Sequence, residues 1–129
     1  MKKCRITVMR ISRYEDLMER YENPQTDACF MKEGQVFTAD GWKKPEGMCD
    51  SAWESMSAFV MTLAHGGEDI YDGWMKNPKS AMISCNDGFR PVSFLIEALD
   101  EEACAADRTD TEPEQKPGRN QSESKEQYL

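Results

Sequence analysis

The chain has 129 residues, 39% of them hydrophobic, with 16 Lys and Arg against 24 Asp and Glu. That length suits one domain and is short for two separate cores. A net charge of −8 argues against nucleic-acid binding, which needs a basic surface to neutralise phosphates, and no run approaches the ~20 apolar residues of a membrane-spanning helix.

The N-terminal residues begin Met1-Lys2-Lys3, but Arg5, Thr7 and Arg10 interrupt any apolar run, so no secretory signal is expected and the reading is a cytoplasmic protein. Residues 4–9 alternate, with Cys4, Ile6 and Val8 on one side, as a half-buried strand does. Ser12 and Glu15 have the spacing of a capping box, and Tyr14, Leu17, Met18 and Tyr21 form the apolar stripe of a short helix ended by Asn23-Pro24. Residues 25–34 read as a loop carrying Cys29. Residues 35–39 read as a short strand stopped by Asp40-Gly41, followed by a loop with Pro45 and Gly47.

The strongest element is a helix over 51–65, with Asp50 as N-cap, an apolar stripe from Trp53 through Met56 and Val60 to Leu63, and Gly66-Gly67 to end it. Residues 68–80 read as irregular, with Trp74 anchoring them to the core. Strands over 81–85 and 92–99 flank Asn86-Asp87-Gly88, which reads as a tight turn, and Pro91 belongs at the start of its strand. The expected order is β-α-β-α-β-β. This predicts an α+β domain over residues 1–99, two helices packed on one face of a small, mainly antiparallel sheet.

Residues 1–99 carry 12 basic and 15 acidic residues, residues 100–129 carry 4 and 9. The second segment contains few residues able to bury apolar surface against the entropy of ordering a chain, so it reads as a disordered acidic tail.

Five cysteines, at 4, 29, 49, 85 and 104, make an odd count with no Cys-x-x-Cys, and His65 is the sole histidine. A disulfide framework is not expected, and any metal site has to be assembled by the fold from distant positions. Cys49 stands at the entrance of the long helix, where the dipole and backbone amides favour a thiolate, although Asp50 opposes this. The densest polar cluster is Cys85-Asn86-Asp87-Gly88-Phe89-Arg90-Pro91. It reads either as an anion or metal-bound ligand site, or as a turn made by Asp87 with Arg90 paired to a carboxylate. His65 suits the C-terminal end of its helix. Trp53 and Trp74 are candidates to line a pocket, or else core residues.

Four ordered segments carry a resemblance: Phe30-Met31-Lys32-Glu33-Gly34-Gln35-Val36-Phe37, Pro45-Glu46-Gly47-Met48-Cys49-Asp50-Ser51-Ala52-Trp53, Gly66-Gly67, and Cys85 through Val92. Over residues 1–99 the chain resembles a family of small, uncharacterised prokaryotic proteins with Phe-x-x-Gly-Gln-x-Phe, Gly-Phe-Cys-x-x-Ala-Trp and Cys-x-Asp-Gly-x-Arg-Pro-Val motifs. The resemblance implies a domain and no reaction. It places Cys29, Cys49 and Cys85 at motif positions, while many relatives have a further cysteine where Ser84 stands here.

Three readings follow. The first is a non-catalytic binding or interaction module with buried cysteines. The second is a metal- or small-ligand-binding module using Cys29, Cys49 and Cys85, with zinc or an iron–sulfur cluster as the metal group and Trp53, His65, Trp74, Asp87 and Arg90 as ligand-binding candidates. The third is a thiol enzyme pairing Cys49 or Cys85 with His65. The partner expected is a small anionic ligand near Arg90, or a protein, a second copy of the chain included.

Overall fold

The computed structural model describes residues 1–24 and 29–104. Its elements are β1 (Lys2–Ile11), α1 (Glu15–Tyr21), β2 (Val36–Ala39), α2 (Asp50–Ala64), β3 (Ser80–Ser84) and β4 (Val92–Glu102). The strands form one antiparallel sheet in the order β2-β1-β4-β3, so the fold is α+β, as the patterning implies. Among the described residues no helix is long and apolar enough to cross a membrane.

Alternation fixes which face is buried. Cys4, Ile6 and Val8 of β1, Phe37 of β2, Ala81 of β3, and Val92, Phe94 and Ile96 of β4 are all buried, and α2 lies on this side. The buried stripe of α2 is Ala52, Met56, Val60, Leu63 and Ala64, and Trp53 and Phe59 pack half-buried at its flanks. Its end is set by glycine: Gly66 adopts φ +92°, and a Cβ on Gly67 would stand 2.6 Å from the Thr62 side chain.

Several local expectations give way to longer-range bonding. Ser12 does not cap α1. Its N–H donates to the Pro91 carbonyl and that of Tyr14 to the Phe89 carbonyl, so the β1–β4 pairing continues past the strand ends and Tyr14 becomes the N-cap. This carries α1 beyond the sheet, and none of its residues is buried; Tyr14, Leu17 and Tyr21 are exposed. The long helix begins one residue early, with Cys49 as N-cap, while Asp50 sits in the first turn and pairs with Lys44. The β3–β4 connection is a seven-residue loop, 85–91, and no residue in it takes a positive φ.

Trp74 is not a core anchor. Residues 69, 71 and 72 all have positive φ; Ile70 between them packs against the core, while Trp74 is 44% exposed. It rests edge-on against Tyr71, ring centroids 5.1 Å apart, and Tyr71 in turn lies near Phe59. At the far end, β4 runs beyond residue 99 to Glu102. Buried Ala103 donates its N–H to the Met1 carbonyl and Cys104 to Asp40, so the folded domain extends to 104. The segment read as a tail lies, from residue 105 on, outside the described residues.

Phe94 is fully buried in the central β4 strand, so Phe94→Ala is expected to lower unfolding free energy by about 3–5 kcal/mol in a urea titration. Tyr21→Ala on α1 is expected to change it by less than about 0.5 kcal/mol, because its ring is exposed.

Candidate functional site

Arg90 is the one buried charged residue among those described. A guanidinium removed from water has to be paired, and two carboxylates supply the pairing. Nη1 donates to Asp87 Oδ2 at 2.8 Å, and Nη2 donates to Glu22, which follows α1 directly. Asp87 also builds the loop that carries Arg90: its Oδ1 accepts the N–H of Phe89 at 2.9 Å and that of Arg90 at 3.3 Å. Burial pushes the Asp87 carboxyl up, but these two N–H donors and the guanidinium outweigh it and hold the group below its ordinary value of 3.8. The turn-and-ion-pair reading of this cluster is what the structure contains.

Beside the ion pair lies a pocket of about 170 Å³. Cys29, Cys49 and Cys85 all line it. Cys29 arrives from the loop before β2, Cys49 from the N-cap of α2, and Cys85 from the end of β3. Phe30, Ser51, Asn86, Asp87 and Arg90 complete the wall. Cys85 is held from both sides by β4, its N–H donating to the Val92 carbonyl at 3.0 Å and its Sγ accepting the Val92 N–H at 3.3 Å. The Cys49 thiol makes no capping hydrogen bond to α2.

Cys29 and Arg90 also belong to a neighbouring cleft of about 560 Å³, bordered by Ile11 and Met18 and by the charged side chains of Arg13, Glu15, Glu19 and Glu22. The two hollows therefore share a wall.

The thiols share a pocket without forming a ready-made ligand cage. Among the described residues no group of three or more His, Cys, Asp or Glu is placed to hold a metal ion. No disulfide joins any of the five cysteines, all of which are described. Cys4 is separate: it is fully buried under α2, its Sγ donates to the Val60 carbonyl at 3.7 Å, and burial pushes its thiol up to about 11.

Of the other candidates, Asp87 and Arg90 are at the pocket and three are elsewhere. His65 is the C-cap of α2, its Nδ1 2.8 Å from the Met61 carbonyl, which fixes the proton on that nitrogen. The 16 positions from Cys49 to His65 put the imidazole ~24 Å along the helix from the thiol pocket. Trp53 packs at the edge of the core, and Trp74 stands in the outer loop. Glu22 is a site residue that the sequence reading did not single out. Nothing local marks Glu22 as a partner for a residue 68 positions away.

The chain matches no family profile, no curated protein and no solved structure.

Two outcomes follow from this geometry. With iodoacetamide at about pH 8, Cys4 is expected to stay unmodified in the native protein and to react only on addition of denaturant, while pocket thiols react natively; peptide mass mapping distinguishes them. Asp87 titrates lower folded than unfolded, so the stability from its charged form is complete above its ordinary 3.8 and is lost as pH falls through the folded value. Asp40, held low by the Cys104 N–H, and Glu102, held low by Lys2, add to the same acid loss. Asp87→Asn keeps the side-chain oxygen and removes the charge. Its stability deficit against wild type is expected to be greatest near neutral pH and to shrink below about pH 4, read as midpoint against pH.

Proposed function

We propose that this chain is a non-catalytic binding module whose ligand enters the thiol-lined pocket at the N-terminal end of α2. The observation behind the reading is convergence: Cys29, Cys49 and Cys85, from three separate segments, line one small hollow. A pocket of about 170 Å³ is below the usual ligand range of ~300–1,000 Å³, so it takes a small group, with the adjoining cleft available for the rest of a larger molecule. Thiols and the Phe30 ring offer soft, polarisable contact, and Asn86 and Ser51 offer hydrogen bonds. Arg90 already serves two carboxylates, which favours a neutral polarisable group over an anion. A reducing, cytoplasmic setting belongs to the same reading, since it keeps the three thiols available.

The distance of His65 from the pocket supports binding over thiol–imidazole catalysis, because a catalytic hydrogen bond needs ~3 Å. The test is a fragment library scored by thermal shift and, in parallel, by protection of Cys49 and Cys85 from iodoacetamide. Bound fragments are expected to slow modification of both thiols by about tenfold or more, and Phe30→Ala, an exposed substitution, is expected to weaken them. Fragments that stabilise the protein without protecting either thiol, or stoichiometric zinc or iron whose removal unfolds it, would overturn the reading.

A further inference from the structure

The sheet has a second face, and neither helix buries a residue against it. Register places Val36, Thr7, Leu95 and Met82 side by side on that face, one from each strand, in a rung that crosses the sheet from edge to edge. Val36 is 54% and Met82 37% exposed. One row away on the same face, Arg5 of β1 pairs with Glu97 of β4, and beyond it Lys3 pairs with Glu101. The β1 half of the face is therefore cationic and the β4 half anionic, with Asp40 near Lys3 at the β2 side.

That polarity is self-complementary. A two-fold axis running along the boundary between β1 and β4 exchanges the two strands when a second copy is laid face to face. It sets Arg5 over the partner copy's anionic strand and Glu97 over its cationic one, brings Thr7 against Leu95, and Val36 against Met82. We propose that this open face is a homodimer interface with that symmetry. Strands ~4.8 Å apart with ~3.4 Å per residue give roughly 500 Å² per copy, the lower edge of specific interfaces, so the dimer is weak and concentration-dependent.

Sedimentation equilibrium of the full chain tests it, up to about 0.5 mM because a weak dimer dissociates in the micromolar range. Average mass is expected to climb towards twice the monomer value and to fall back in high salt. Arg5→Glu and Met82→Lys, each with unchanged far-UV circular dichroism, are expected to raise the dissociation constant about tenfold or more, as loss of a steering charge or an apolar contact does. Arg5→Glu combined with Glu97→Arg is expected to restore it. A monomer at every concentration, a dimer indifferent to both single substitutions, or a charge swap that fails to rescue would overturn the proposal.

Discussion

A buried guanidinium sets the terms for one end of this molecule. Desolvating Arg90 is unfavourable unless its donors are met, and the two carboxylates that meet them come from opposite directions, Asp87 from its own loop and Glu22 from the residue after α1. A helix with no buried residue is thereby tied to the body of the protein by charge rather than by packing. The same interaction stiffens the loop bearing Cys85 and fixes the shared wall of pocket and cleft. Shape at the site is thus a consequence of an electrostatic requirement, and the apolar core contributes the frame on which it is met.

That frame is the β1–β4 pair. It runs through the centre of the sheet, continues outward through Ser12 and Tyr14 to the Arg90 loop, and at its other end closes Ala103 onto Met1. Edge strands β2 and β3 attach on either side, and α2 crosses between them. Because α2 begins at Cys49 beside the Cys85 loop and ends at His65, its length alone separates the histidine from the thiols. A rigid rod of four turns keeps the two chemistries apart.

The elements were readable where periodicity is strong. Alternation marked β1 and the stripe through Met56, Val60 and Leu63 marked α2, because a side chain's burial there depends on neighbours two or four positions away. Capping was misread at Ser12 because a ladder hydrogen bond to Pro91, far along the chain, competes with a local side-chain bond. Trp74 was misread because aromatic character says nothing of which residue of an irregular segment meets the core; Ile70 does, and Trp74 stays exposed. At the site, Cys29, Cys49, Cys85 and the Asp87–Arg90 cluster were visible as residues. Their sharing of one pocket, and the partnership with Glu22, depend on the sheet order and are invisible to local pattern.

The two faces of the sheet have different resources. The α2 face has spent its apolar surface on the core, and its leftover chemistry is concentrated at the helix entrance as thiols and an ion pair. The other face retains an apolar rung of modest size and two ion pairs aligned with opposite signs on adjacent strands. Antiparallel sheets tolerate water on one face, so such a surface does not need covering for the fold to stand. The ordering of its charges, cations on β1 and anions on β4, is also satisfied within one chain. What intramolecular pairing leaves unused is the short rung from Val36 through Thr7 and Leu95 to Met82, and a second copy related by the β1–β4 axis covers that rung while preserving every charge contact. Pocket and open face lie on opposite sides of one sheet, so occupation of the pocket leaves the dimer surface in place.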